Sequence, residues 1–168
     1  MDQLDREDWA GFANGDQAGI ERIYGRHKDS LYTFCLYVSG DRQLSEDVVQ
    51  ETFLGLIKQR DTLVLRSSLK GWLFICARNL TYNLLKRGSP NPDIYEIADP
   101  ALSIETRLFI ENVLSRLSVE ERELILMREH QQFSVRELSA MLDLSEEAVR
   151  VRLYRIRKKM QSFVKRKT

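Results

Sequence analysis

The stretch FSVRELSAMLDLSEEAVRVRLYRIRKKM, residues 133–160, decides how the chain is read. Ser134 and Glu137 have the Ser-x-x-Glu spacing of a capping box, which predicts a helix starting there. Val135, Leu138, Ala140, Met141 and Leu142 give that helix an apolar side. Asp143 then stands where a left-handed residue would close a tight turn, a conformation Asp tolerates better than most residues. Ser145 is placed to cap a second helix, with Glu146 and Glu147 favourable to the dipole in its first turn. Along that second helix Val149, Leu153 and Ile156 recur at helical spacing and face inward. Arg150, Arg152, Tyr154, Arg155, Arg157, Lys158 and Lys159 are left outside. A short helix–turn–helix whose second helix is apolar on one side and cationic on the other has the form of a major-groove reader.

Charge along the chain agrees. Residues 1–88 carry 12 acidic and 12 basic side chains, whereas residues 104–168 carry 10 acidic and 14 basic, most of the excess lying after Arg150. The whole-chain net charge of +1 conceals this polarity. A local cationic excess points to a phosphate-backbone partner for the C-terminal end.

Working back from the helix–turn–helix, Ser118 and Glu121 form another capping box ahead of VEERELILMRE, and Ile104–Leu117 is amphipathic. Before them all three prolines, Pro90, Pro92 and Pro100, fall between Gly88 and Ser103. Proline removes donors and resists helix, so residues 89–103 read as a linker between domains 1–88 and 104–168. In the first domain a short helix is expected over Asp5–Ala13, with Trp9 and Phe12 on one side and Gly15 as a stop. A second follows from the cap Asp16 to about Ser39, carrying Ile20, Ile23, Tyr24, Leu31, Phe34, Cys35 and Val38 at three- and four-residue steps and ended by Gly40. Ser45 is read as the start of a third, SEDVVQETFLGLIKQ, with Val48, Val49, Phe53, Leu56 and Ile57 apolar. Residues Arg60–Ser68 break the pattern as a loop. A long helix follows to Arg87, with Leu69, Trp72, Leu73, Ile75, Cys76, Leu80 and Leu84 expected inside. No strand alternation persists, so the fold class is all-α in two small helical domains.

Enzyme chemistry is not indicated. The sequence contains no Walker-type, Rossmann or His-Glu-x-x-His motif. His27 and His130 stand alone and read as surface or capping histidines. Asp47 and Glu51 share a helix face, but no Glu-x-x-His helix accompanies them as a di-metal bundle requires. No catalytic residue, metal or cofactor is therefore expected. No apolar run approaches the roughly 20 residues of a membrane span, and MDQLDREDWAGF lacks the apolar core of a secretory signal. Cys35 and Cys76, far apart and without neighbouring ligands, read as buried thiols in a reducing compartment. A cytoplasmic protein without membrane insertion is the expectation.

From about Asp16 to Met160 the chain resembles the extracytoplasmic-function class of bacterial RNA polymerase sigma factors, in the sigma-70 family. Three blocks carry the likeness: SEDVVQETFLGLIK (45–58), LKGWLFICARNLTYNLLKR (69–87) and LSRLSVEERELILMREHQQFSVRELSAMLDLSEEAVRVRLYRIRKKM (114–160). The first resembles the polymerase-binding helix of the second conserved region, the next its promoter-element helix, and the last the fourth region. The resemblance implies an N-terminal four-helix region 2 domain, a linker, and a C-terminal helix–turn–helix region 4 domain. It also implies an alternative sigma factor that binds core RNA polymerase, recognises −35 and −10 elements and assists DNA melting. On the residues alone, a helix–turn–helix regulator that binds duplex DNA without joining polymerase remains the alternative.

Site residues follow from the resemblance. Asp47, Gln50, Glu51, Phe53 and Ile57 match positions that dock on the clamp helices of the largest core subunit. Acidic and amide groups beside apolar ones suit a helix–helix interface with a charged rim. The loop Arg60–Ser68 and the following helix match the element that captures a flipped −10 base, with Arg66, Ser67, Ser68, Lys70, Arg78 and Asn79 as donors along the single strand. Trp72 is assigned to the core rather than to a stacking platform. Arg150, Val151, Tyr154 and Arg155 match the surface that reads the −35 element. Arg152, Arg157, Lys158 and Lys159 are assigned to phosphates, which position without specifying. An anti-sigma partner is also implied as a class, though no residue identifies it. Where the family often has Gly-Thr-Val-Lys-Ser-Arg, this chain has Glu147-Ala148-Val149-Arg150-Val151-Arg152; Asp143 replaces the usual turn glycine and Asn83 the usual aspartate. Val151 and Glu147 predict an atypical −35 sequence.

Overall fold

The computed structural model describes residues 3–64, 68–87 and 103–165. Among these every regular element is helical, as the sequence predicts. The chain divides into two compact units, Met1–Pro92 and Asp93–Thr168. The expected linker falls almost wholly outside the described residues.

The N-terminal unit contains α1 (Gln3–Ala13), α2 (Gln17–Ser39), α3 (Arg42–Lys58) and α4 (Leu69–Arg87). Asp16 caps α2 by accepting from Ala18 N, and Gly40 ends it in the left-handed conformation at φ 73°, donating to Leu36 O. Both were legible as capping signals. The start of α3 differs from expectation. Asp41, not Ser45, is its cap, with its carboxylate accepting from Leu44 N at 2.9 Å. Ser45 lies one turn further in, buried, its hydroxyl donating to Asp41 O at 2.6 Å.

The core of this unit joins Ile23, Leu31, Phe34, Cys35 and Val38 of α2 to Val48, Val49, Phe53 and Leu56 of α3. From α4 it takes Leu69, Leu73, Phe74 and Ala77. The Phe34 and Phe74 rings meet edge-to-face with centroids 5.3 Å apart, a favoured aromatic geometry. The inward face of α4 corrects the sequence reading: Trp72, Ile75, Cys76, Leu80 and Leu84 are only half-buried, while Phe74, Ala77 and Thr81 are buried. The segment LKGWLFICARNL is apolar almost all round, so periodicity could not choose its face. Burial raises the Cys35 thiol to about 12 and the Cys76 thiol to about 11, which leaves both as unreactive thiols.

α1 is fixed to α2 by charge as well as by Trp9 and Phe12. Asp5 is 1% exposed, its oxygens 3.1 Å from Arg26 Nε and 2.9 Å from His27 Nε2. Asp8 accepts from Arg22 Nε and from Arg26 Nη2, each at 2.6 Å, and Arg22 also reaches Asp16 at 3.0 Å. His27 is thus a buried partner of a carboxylate, not the surface or capping histidine expected. Burial pushes the Asp5 carboxyl up, but the hydrogen bond and charge of His27 and those of Arg26 outweigh it, so the carboxyl titrates below its usual range. Hydrogen bonds from Arg22 and Arg26 lower Asp8 in the same way. A carboxylate lowered in the folded state contributes stability that is present above the ordinary carboxylate range and lost as pH falls through the depressed value. The thermal midpoint of this unit is therefore expected to hold from pH 7 to about pH 5 and to fall steeply below about pH 4. Asp8→Asn should flatten that acid limb. A melting temperature independent of pH between 5 and 3 would contradict the ion set.

The C-terminal unit contains α5 (Ile104–Ser115), α6 (Val119–Ile125), a π-helical turn (Leu126–His130), α7 (Val135–Leu142) and α8 (Glu146–Lys165). Ser118 and Glu121 make both halves of their capping box. The capping box opens VEERELILMRE as read from the sequence, but the segment does not continue as one α-helix. Gln131 N donates five residues back to Leu126 O, a wider turn that re-aims the residues around it. Leu126 and Met127 are buried with Phe133, and Gln132 takes φ 61°. Leu124, Leu138, Val149, Leu153 and Ile156 complete the core. On α7 only Leu138 is buried; Val135, Met141 and Leu142 are half-buried and Ala140 is exposed. On α5 the buried residues are Val113 and Leu114, whereas Ile104, Leu108 and Phe109 are exposed.

Candidate nucleic-acid interface

The helix–turn–helix forms from the local signals in its sequence. Glu137 N donates to Ser134 Oγ at 3.1 Å and Ser134 N to Glu137 Oε2 at 2.7 Å, the reciprocal capping box. Asp143 takes φ 53°, ψ 50°, so the left-handed turn is made without glycine. Leu144 N returns to Ser139 O at 3.0 Å, and the Ser139 hydroxyl donates to Leu144 O at 2.5 Å. Ser145 accepts from Ala148 N at 3.1 Å and opens α8.

On α8 the buried stripe is Val149, Leu153 and Ile156, all at or below 3% exposure. At 100° per residue, Val151, Tyr154 and Lys158 lie along the middle of the opposite face, with Arg155 beside them and Arg150, Arg152 and Arg157 towards the margins. Val151 is 41% and Tyr154 60% exposed. Lys158 Nζ stands 5.6 Å from the Tyr154 ring centre. Arg150 bonds to Glu146 one turn back at 2.6 Å, so its guanidinium is held near the start of the helix. Arg157 pairs with Glu129 and Lys159 with Glu121, each at 2.5 Å. These two cations, assigned to phosphates on the sequence, first hold α8 against α6 and the π turn. Glu121 shows the coupling: burial pushes its carboxyl up, but hydrogen bonds from Lys159 and from the Ser118 backbone bring it below its ordinary value. Arg152 and Arg155 are exposed and carry no ion pair among the described residues.

In the N-terminal unit Asp47, Gln50 and Glu51 are exposed on α3, and Gln43 Nε2 donates to Asp47 Oδ1 at 2.9 Å. Ile57 is 43% exposed. Phe53 does not share this surface. It is 5% exposed and meets the Tyr24 ring edge-on at 4.8 Å, anchoring α3 to α2. The apolar residue that stands among the polar ones is Leu54, 46% exposed. The helical period could have found it: position 54 falls in line with 47, 50 and 57, whereas 53 falls toward 49 and 56.

Of the residues assigned to the −10 element, Arg66 and Ser67 lie outside the described residues. Ser68 is half-buried and its Oγ accepts from Gly71 N at 2.9 Å, so it caps α4. Lys70 Nζ lies 5.8 Å from the Phe74 ring centre. Arg78 stacks over Tyr82 at 5.0 Å and reaches Asn79 Oδ1 at 3.4 Å. Asn79 is exposed and Trp72 half-buried. Arg78, Asn79 and Tyr82 thus form one group, with Lys70 two turns, about 12 Å, nearer the start of the helix. Tyr82 was missed by the sequence reading; its position four residues after Arg78 was the available signal.

A helix–turn–helix with a cationic outer face, joined in one chain to a four-helix unit with a polar and apolar outer face, defines a DNA-binding protein of more than one working surface. The family model for sigma-70 region 2 matches residues 23–90, and that for sigma-70 region 4 matches residues 109–160. The chain is 24% identical over 164 residues to the ECF RNA polymerase sigma factor SigM of Mycobacterium tuberculosis H37Rv, covering 95% of this chain and 84% of that one. Its fold is similar to that of CnrH, solved in complex with the cytosolic domain of CnrY, with a TM-score of 0.78, 23% identity and coverage of 99% and 100%. It is also similar to RpoE of Bartonella quintana, solved with the anti-sigma factor NepR, with a TM-score of 0.72, 26% identity and coverage of 86% and 96%. The chain belongs to the sigma-70 family, in its extracytoplasmic-function class. It is an alternative sigma factor. Among the described residues no helix is long and apolar enough to cross a membrane.

Proposed function

We propose that α3 docks this sigma factor on the clamp helices of core RNA polymerase and that α8 reads the −35 element in the major groove. Asp47, Gln50 and Glu51 supply the polar rim of the docking face, and Leu54 and Ile57 its apolar contacts. Residues 89–103 link the two domains. Ser68–Asn79, with Arg66 and Ser67, engage the −10 element; stacked Arg78 and Tyr82 offer a platform and a charge for an unpaired strand. The protein adds no bond-breaking chemistry of its own and works in the cytoplasm. The observation that carries this reading is the presence, within stretches matching regions 2 and 4, of an exposed Asp47–Gln50–Leu54–Ile57 face and an exposed cationic α8 face. The complex of RpoE with an anti-sigma factor supports a regulator of that class here as well.

The two arginines of α8 separate base reading from general attraction. Arg155 is exposed and has no ion pair among the described residues, whereas Arg150 must exchange Glu146 for a base edge. Arg155→Ala with Arg150→Ala is expected to cost about 1–3 kcal/mol of discrimination against altered −35 sequences per lost bidentate contact. Competition binding and run-off transcription on promoter variants measure it. Selectivity equal to the wild type would remove α8 from the reading role.

A further inference from the structure

α1 precedes the residues that match region 2, yet it is firmly seated. Phe12 is 3% and Trp9 8% exposed, and the Asp5–Asp8 ion set ties it to α2. Gly19 approaches so closely that a Cβ there would lie 2.4 Å from Asp8 O, so the contact admits no side chain. At its C-terminal end α1 meets a residue from far along the chain. The Arg60 guanidinium lies over the Phe12 ring at 5.1 Å, and its Nη2 donates to Ala13 O at 3.4 Å. A cation there suits the negative end of the α1 dipole, and the ring face attracts it further.

Arg60 sits at a junction. Its own N–H closes α3 by donating to Ile57 O, and Thr62 N and Leu63 N both return to Gln59 O in the turn behind it. Here the chain leaves the docking helix, and Ser68 with the start of α4 comes next after it in the sequence among the described residues assigned a role. We infer that Arg60 is a positioning residue for promoter opening: α1 holds it and so fixes the turn at the end of α3 that precedes the −10-engaging residues in the chain. This rests on the sigma-factor reading of α3 and α4. A turn held before DNA arrives spares the complex the ordering cost at the moment of base capture, and small misplacements of a working group carry large rate penalties. α1 is then part of the promoter-opening apparatus although it touches neither DNA nor polymerase in this scheme.

The full chain, purified core RNA polymerase and a duplex promoter opened by the wild type test it. Arg60→Ala is expected to reduce open-complex formation, read by permanganate reactivity of unpaired thymines, by about tenfold or more. It should also flatten the preference between −10 sequences, with core affinity unchanged. Arg60→Lys keeps a cation against Phe12 and Ala13 O and should recover much of both. A merely structural role would lower core binding and opening together on every −10 sequence, and that result overturns the inference. So does opening by Arg60→Ala equal to the wild type. If the wild type itself neither binds core nor opens a promoter, the sigma-factor reading falls and this inference with it; a working wild type beside an unaltered Arg60→Ala removes the inference alone.

Discussion

Replacing Leu54 with aspartate is expected to weaken binding to core RNA polymerase by about 30- to 100-fold, or about 2–3 kcal/mol. Leu54 is an apolar side chain at 46% exposure in the midst of Asp47, Gln50 and Ile57. Such a residue gives little to the folded monomer. At an interface it becomes the desolvated centre, with Asp47, Gln50 and Glu51 at the rim. A carboxylate in its place must be stripped of water without a partner, which is why the loss should exceed that of a simple truncation. The fold has no stake of comparable size, since surface substitutions cost about 0.5 kcal/mol. The thermal midpoint of Leu54→Asp should therefore stay near the wild type while its titration with labelled core shifts. Phe53→Ala should do the reverse, because the Phe53 ring is buried against Tyr24. Equal core affinity for Leu54→Asp and wild type would remove this face from the interface.

Leu138→Ala is expected to destabilise the C-terminal unit by about 3 kcal/mol. Leu138 is fully buried and is the one buried residue of α7. α7 packs on α8, whose stripe of Val149, Leu153 and Ile156 is buried as well, so a cavity at Leu138 loosens the recognition helix itself. A unit this small has few kilocalories to lose. DNA affinity and the melting transition of the C-terminal unit should fall together, while the α1–α4 unit and its core binding persist. Arg155→Ala gives the opposite pattern, with selectivity lost and melting kept. Unchanged stability of Leu138→Ala would mean that α7 and α8 are not packed as described.

The helix–turn–helix was legible because its signals are local. Ser134, Glu137, Asp143 and Ser145 lie within two turns of the backbone groups they satisfy, and Val149, Leu153 and Ile156 report one unambiguous face. Features that depend on pairing across the chain were not legible. Asp5 and Asp8 gave no signal of their ion set within their own short helix, because their partners Arg22, Arg26 and His27 belong to the next one. Arg60 likewise gave no hint of Phe12. The face of α4 failed for another reason: an almost uniformly apolar helix lets tertiary packing choose, and packing chose Phe74 and Ala77 over Trp72 and Leu80. On α3 the period alone distinguished Leu54 from Phe53, yet the assignment followed the family resemblance and took Phe53. On α8, composition showed how many cations there were but not which were already paired. Arg150, Arg157 and Lys159 each have a glutamate, two of them supplied by other elements.

Promoter-specific run-off transcription with purified core RNA polymerase tests the central claim most directly. Core enzyme alone should give no discrete product from a genomic promoter library. Core with this chain should give transcripts of defined start, each preceded by a shared pair of −35 and −10 elements. Leu54→Asp should abolish those products at limiting concentration, and Arg150→Ala with Arg155→Ala should redistribute them. A chain that binds duplex DNA through α8 but neither associates with core polymerase nor changes what it transcribes would contradict the account.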